Sequence, residues 1–226
     1  MTMPICKECQ QPFDGGEPIQ VLGCTLRANV CNRCDEARTA DEARRVHSRR
    51  LEAFVKLCPP AYRATEPARL DQDKLAQVLA WQYGPRGLVL FGSTRLGKTR
   101  CAWLLLKPLV LAGRRVVALT AGEFARQCAD AYGHSAEAGA RFFRRMTACD
   151  VLFIDDFGKF KVTERVEAEL FDIIEFRTGH GLPILLTTNG TKATFAQAFS
   201  PDRSGPIFGR LREFCEFINF SPAKAT

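Results

Sequence analysis

Gly92-Ser93-Thr94-Arg95-Leu96-Gly97-Lys98-Thr99 is the stretch that decides how this chain is read. An apolar run of strand length, Gly87–Phe91, leads into it, and a helical pattern from Lys98 to Leu111 follows. A G-x-x-x-x-G-K-[ST] loop in that setting gathers backbone N–H groups at a helix N-terminus, where the dipole favours an anion. The lysine of the pattern, Lys98, reaches β/γ-phosphates as a point charge, and the Thr99 hydroxyl is a ligand for Mg²⁺. Residues 92–99 are therefore the expected phosphate site.

Downstream, apolar runs alternate with helical patterns. Arg115–Leu119 reads as a strand, about Ala121–Tyr132 and Ala138–Met146 as helices, and Asp150–Ile154 as a strand. Thr163–Arg177 is a helix, Pro183–Thr187 a strand, a short helix falls near Phe195, and Ile207–Arg212 leads into a last strand, Glu216–Phe220. Buried strands alternating with helices predict an α/β fold with a parallel sheet covered on both faces. Upstream, Asp71–Gln82 forms a helix with Leu75, Val78, Leu79 and Trp81 on its apolar side.

The phosphate loop alone does not separate nucleotide hydrolysis from small-molecule phosphorylation. Val151-Leu152-Phe153-Ile154 sharpens the reading, because it delivers Asp155 and Asp156 to the sheet edge where ligands of open α/β folds bind. Asp155 is expected to hold Mg²⁺ through water, and Asp156 to orient or activate the attacking water. Asn189, at the end of the next strand, either holds a water between Asp156 and the γ-phosphate or starts a turn before Gly190.

Ten cysteines are present, and two Cys-x-x-Cys pairs, Cys6/Cys9 and Cys31/Cys34, stand on either side of residues 10–30. Two such knuckles supply the four thiolates of a tetrahedral Zn²⁺ site. Pro12, Gly15, Gly16 and Pro18 punctuate short strand-like pieces such as Pro18–Leu22, which suits a ribbon too small to fold without its metal. Cys24 has no partner at knuckle spacing, and Cys58, Cys101, Cys128, Cys149 and Cys215 lie in apolar contexts expected to be core. The predicted organisation is a zinc module over 1–35, a charged connecting helix over 36–57 ending at Cys58-Pro59-Pro60, and the α/β core over 58–226.

The composition, 46% apolar and 25% charged, is that of a folded globular chain. No run approaches a membrane span, and Met-Thr-Met-Pro-Ile-Cys lacks the basic and apolar regions of a signal peptide, so a cytoplasmic protein with reduced thiols is expected. A net charge of +7 favours contact with a polyanion. Arg141-Phe142-Phe143-Arg144-Arg145 is either a groove for single-stranded DNA or a helix with core phenylalanines and solvated arginines, and the second reading is preferred. His47, His134 and His180 are scattered, with no partner at ligand or triad spacing.

The order of these parts resembles the AAA+ ATPases of the DnaC/DnaI helicase-loader and IstB group, over about residues 58–220. Carrying the resemblance are Gly87–Gly92 into Gly97-Lys98-Thr99-Arg100, then Ile154-Asp155-Asp156-Phe157-Gly158, then Leu186-Thr187-Thr188-Asn189, with Pro59-Pro60-Ala61-Tyr62-Arg63 ahead of the core. The resemblance implies ATP as ligand, Lys98 and Thr99 as Walker A, Asp155 and Asp156 as Walker B, and Asn189 as sensor 1. It also implies that Arg210 in Phe208-Gly209-Arg210-Leu211, with Arg212 as the alternative, reaches a neighbouring subunit's nucleotide in an ATP-dependent homo-oligomer. A cysteine-paired module on such a core is similar to the DnaI-type loaders, whose zinc module binds the replicative helicase, and this implies delivery of that helicase to single-stranded DNA. Two departures stand out. Arg95 occupies a position where the family commonly has glycine, and Ile218-Asn219-Phe220 is followed by no further arginine and no helical lid, so weak, partner-dependent hydrolysis is expected. The alternatives are an IstB-like transposition helper acting on duplex DNA and a zinc-dependent adaptor that binds nucleotide without turnover.

Overall fold

A computed structural model describes residues 3–15, 18–22, 24–26, 28–158, 163–190 and 199–221. The chain forms two compact units, Met1–Glu52 and Ala53–Thr226.

In the first unit, β1 (Ile19–Val21) and β2 (Cys24–Leu26) pair antiparallel, with Val21 opposite Cys24. An isolated bridge joins Ile5 to Pro12. Helix α1 (Asn32–Leu57) begins inside the second cysteine knuckle, so Cys34 lies in its first turn. Its exposed length carries Arg38–Asp35, Arg44–Asp41 and Arg49–Glu42 ion pairs. Solvated pairs of this kind contribute little each, and they suit a helix whose length is polar.

The second unit starts with the end of α1, where Phe54 is buried. Then come α2 (Pro60–Arg63), a 3₁₀ turn at Pro67–Arg69 and α3 (Gln72–Ala80), which the Asp71 side chain caps by accepting from the Lys74 N–H. Strand β3 (Gly87–Phe91) enters the phosphate loop, and α4 (Lys98–Leu111) leaves it. Next are β4 (Val116–Thr120), α5 (Ala121–His134) with a Thr120/Glu123 capping box, and α6 (Ala136–Ala148). The chain continues through β5 (Val151–Asp155), α7 (Glu164–Gly179) and β6 (Ile184–Thr188) to α8 (Pro201–Phe214) and β7 (Cys215–Asn219). The short helix expected near Phe195 lies outside the described residues.

The five long strands are ordered β4-β5-β6-β3-β7. All of their pairings are parallel. Strand β6 therefore stands between the phosphate-loop strand and the strand that carries the two aspartates. The period-2 alternation of buried strands assigns side chains to two cores. Leu88, Leu90, Phe153 and Leu185 face α4, Val78 of α3 and Phe54, whereas Val89, Leu152, Ile154 and Leu186 face α5 to α8. Trp103 of α4 meets Phe153 edge-on, ring centroids 5.6 Å apart. Leu79 of α3, expected on its apolar side, is instead exposed, while Trp81 is buried just past the helix end and donates to the Arg86 carbonyl. Cys58, Cys101, Cys128, Cys149 and Cys215 are all buried. Phe142 is in the core and Arg141, Arg144 and Arg145 are exposed, in line with the preferred reading of that segment. Among the described residues no helix is long and apolar enough to cross a membrane.

One buried cation was not visible in the sequence. Arg177 of α7 has no exposed surface and donates to the carbonyls of Met146, Cys149, Asp150 and Pro183. It thereby satisfies carbonyls at the entrances to β5 and β6, where chain ends would otherwise be buried without partners.

Candidate functional site

The loop after β3 turns back on itself at two glycines and one arginine. Gly92 has φ +126°, Gly97 +85° and Arg95 +64°. A Cβ on Gly92 would lie 2.6 Å from the Ser221 nitrogen, so no larger residue fits there. Arg95 adopts the left-handed conformation with a side chain, which costs a non-glycine residue about 1 kcal/mol. Gly97 caps α4 without a side-chain cap, leaving the first N–H groups of the helix open toward the loop.

Lys98 is buried, and its ammonium donates to the carbonyls of Gly92 (2.9 Å) and Ser93 (2.6 Å) and to Oδ1 of Asn189 (2.7 Å). Asn189 in turn donates from Nδ2 to Oδ1 of Asp156 at 3.1 Å. A chain of hydrogen bonds thus runs from the phosphate-loop lysine through the tip of β6 to the second aspartate. Of the two readings open for Asn189, this favours the polar one at the site. Thr99 donates to Oδ1 of Asp155 at 2.7 Å, so the two groups expected around Mg²⁺ are in direct contact. Burial raises the Asp155 carboxyl above the ordinary range, against the hydrogen bonds from Thr187 and Thr99, which favour its ionised form. Hydroxyl and carboxylate oxygens at this spacing form a donor set of the kind Mg²⁺ takes, so the residues fit that ion.

Thr187 is a site residue that sequence reasoning passed over. Its hydroxyl donates to Asp155 and accepts from the Asp156 N–H at 2.9 Å, holding both aspartates from the neighbouring strand. The signal was a hydroxyl in a strand of otherwise apolar buried residues, Ile184-Leu185-Leu186. Asp156 has φ +57°, which turns its side chain out of the strand direction toward Asn189, and aspartate tolerates this conformation better than most residues.

These groups border a cavity of about 820 Å³. One side is Thr94–Arg100, Asp156 and Asn189, and the other is made by Tyr62, Thr65, Glu66, Arg69, Leu70 and Asp71. No residue of that second wall was singled out in the sequence as part of the site. Arg210 stands away from this cavity, on α8, ion-paired with Glu175 of α7 and 5.7 Å from the Phe214 ring centroid, and Arg212 is exposed on the same helix.

In the first unit, the Sγ atoms of Cys6, Cys9, Cys31 and Cys34 all lie within 4.8 Å of one another. Those of Cys9 and Cys31 are 3.7 Å apart, which compares with about 3.8 Å for sulfurs around a tetrahedral Zn²⁺ with about 2.3 Å bonds. The Cys31 N–H donates to Sγ of Cys6 at 3.3 Å, and backbone hydrogen bonds at Cys9 and Cys31 bring the Cys6 thiol down to about 6. The four thiols fit a zinc ion in number and distance, and the Cys31 N–H directed at Sγ of Cys6 suits a thiolate ligand. Cys24 stands outside the cluster and is exposed.

Comparison with known proteins places these parts in context. A family model described as IstB-like ATP binding protein matches residues 35–221. No curated protein matches the chain. Among solved structures, a DnaI crystal structure matches with a TM-score of 0.54 at 18% identity, over 74% of this chain and 93% of that one. The DnaC helicase loader matches with a TM-score of 0.54 at 18% identity, over 66% and 86%. AMPPCP-bound DnaA from Aquifex aeolicus matches with a TM-score of 0.55 at 18% identity, over 71% of this chain and 50% of that one. The chain thus spans half the length of that DnaA, and likenesses at this identity concern the fold.

Proposed function

Since this chain belongs to the IstB-like ATP-binding proteins, we propose that it is an ATP-hydrolysing helper of DNA transactions, a replicative-helicase loader. The observation that carries hydrolysis, beyond binding, is the Lys98–Asn189–Asp156 chain of hydrogen bonds at the strand tips. With phosphates in the loop, Lys98 exchanges its carbonyl partners for phosphate oxygens, and Asn189 and Asp156 orient a water toward the γ-phosphate, Asp156 accepting its proton. Thr99 and Asp155 would hold Mg²⁺, which supplies charge neutralisation at the β- and γ-phosphates when bound.

Arg210 acts in trans in this reading. Its side chain is engaged by Glu175 within one chain, so hydrolysis is weak until an ATP-dependent homo-oligomer draws the guanidinium to a neighbouring site. The four-cysteine module binds Zn²⁺ and contacts the replicative helicase, and the ATPase assembly engages single-stranded DNA. A second reading, favoured by the family match itself, is an IstB-like transposition helper acting on duplex DNA.

Asp156→Asn tests the catalytic reading. Hydrolysis should fall by about 10²–10⁴-fold with ATP binding kept; unchanged turnover would remove Asp156 from the catalytic role, and no turnover in the native chain would leave a zinc-dependent adaptor that only binds nucleotide. Pull-downs with and without residues 1–35, and binding to single-stranded against duplex oligonucleotides, decide between loader and transposition helper. Loss of the helicase with the module and a preference for single strands mark the loader.

A further inference from the structure

One side chain of the phosphate-loop helix reaches the segment that begins the second wall of the nucleotide cavity. Arg100, next to the Mg²⁺-ligand candidate Thr99, donates from Nη1 to the Ala61 carbonyl at 3.1 Å and to Oγ1 of Thr65 at 3.2 Å. Its guanidinium carbon also stands 5.7 Å from the centroid of the Tyr62 ring, within cation–π range. The Thr65 hydroxyl in turn donates to the Tyr62 carbonyl at 2.8 Å, so Arg100, Thr65 and Tyr62 form one linked unit. A further link is steric: a Cβ on Gly97 would come within 2.9 Å of Leu70, so the wall lies directly against the loop.

A nucleotide in this cavity has its phosphates at Gly92–Thr99, because that is where the loop, the helix N-terminus and Lys98 are. The nucleoside then lies in the remaining volume, whose lining is Tyr62, Thr65, Glu66, Arg69 and Leu70. We propose that Arg100 is a positioning residue for the nucleoside: it fastens residues 61–65 to the first turn of the phosphate-loop helix, so that Tyr62 stands as a fixed wall of the ATP cavity. The side chain touches neither the reacting phosphate nor the water. It acts through Tyr62 and Thr65, and it ties the geometry of the nucleoside wall to the helix turn that carries Lys98 and Thr99. Arginine suits the place because Nη1 serves both acceptors while the planar guanidinium stands over the Tyr62 ring.

This inference rests on the ATP-binding reading of the cavity, and its test keeps the two apart. Affinities of the full-length chain for ATP and for inorganic tripolyphosphate, both with Mg²⁺, are measured by titration calorimetry. Tripolyphosphate engages the phosphate loop without a nucleoside. Absence of ATP binding by the native chain would overturn the reading of the cavity itself. Given native binding, Arg100→Ala should weaken ATP by about tenfold, the loss of one to two charge-assisted hydrogen bonds, and leave tripolyphosphate within about twofold. In turnover the loss should fall on KM more than on kcat. Thr65→Val, which removes one acceptor, should weaken ATP in the same direction by less, and Arg100→Lys should recover only part of the loss. Arg100 is exposed, so the variant folds, and an unchanged thermal midpoint checks it. Equal weakening of ATP and tripolyphosphate, or no weakening of ATP, would overturn the role of Arg100.

Discussion

Thr187 shows how much a single hydroxyl decides at this site. It donates to Asp155 and accepts from the Asp156 backbone, so one oxygen holds the Asp155 carboxylate and the Asp156 main chain. Valine has nearly the same shape and would leave the strand intact, but it removes a donor from Asp155 and the Thr187 acceptor from the part-buried Asp156 N–H. An unsatisfied buried group costs about 1–3 kcal/mol. We therefore expect Thr187→Val to lower steady-state ATP hydrolysis on the order of tenfold with ATP affinity kept. A variant hydrolysing at the native rate would show that the β6 hydroxyl does not position the carboxylates for chemistry. Asp155, Asp156, Lys98 and Thr99 were all legible from the sequence, because each belongs to a short pattern whose spacing reports its role. Thr187 was not, because its role depends on which strand lies beside β5.

At the scale of elements, α5 and α7 are joined by a buried carboxyl. Glu169 of α7 accepts from the Tyr132 hydroxyl of α5, Arg165 lies over the same ring, and the other carboxyl oxygen of Glu169 has no hydrogen-bond partner among the described residues. Burial is the main cause that raises the Glu169 carboxyl above the ordinary glutamate range. The sign follows from linkage: a carboxyl raised on folding contributes its stability fully below the unfolded value, and loses it as pH climbs through the folded one. Glu169→Gln keeps an acceptor for Tyr132 and removes the charge. Its thermal midpoint should exceed the native one at pH 8, and the gain should shrink toward zero as pH approaches 4. Equal midpoints at pH 8 would mean that the ionised carboxylate sits in that helix interface without penalty. Helices α3 to α7 were legible in the sequence from their apolar spacing, with ends shifted by a few residues, whereas α2 and most of α8 were not. The long charged helix, though, was placed as a connector, and it begins within the second cysteine knuckle and ends in the core at Phe54. Apolar periodicity marks the middle of a helix better than its ends, where capping and neighbouring contacts decide.

At the scale of the molecule, the two units are held by different physics. The second has two apolar cores, one on each side of the sheet. In the first, ahead of α1, the four-cysteine cluster brings Cys6 out of solvent, and the proposed metal would brace the segment from there. A chelator strong enough to remove zinc should release about one equivalent. It should also expose the four clustered thiols to a thiol reagent beyond the already exposed Cys24. The five core cysteines should stay protected and ATP affinity should persist. Unaltered thiol reactivity after chelation, with no metal released, would remove zinc from the proposal. Loss of ATP binding together with the metal would show that the second unit does not stand on its own core.

What the sequence by itself determined is everything that depends on neighbours along the chain. Strand and helix types follow from apolar periods of two and 3.6, the phosphate loop from eight consecutive residues, and the four-cysteine cluster from two short knuckles. Only the tertiary structure decided which distant residues meet. The order β4-β5-β6-β3-β7 inserts β6 between Lys98 and Asp156 and so makes Asn189 and Thr187 part of the candidate site. It also decided that Arg210 rests on Glu175 and that residues between Tyr62 and Asp71 form a cavity wall reached by Arg100. The physical reason is that an apolar strand pattern states that a strand is buried but not which strand it pairs with. Pairing is settled by the packing of whole faces against their helices, a property no local stretch of sequence contains.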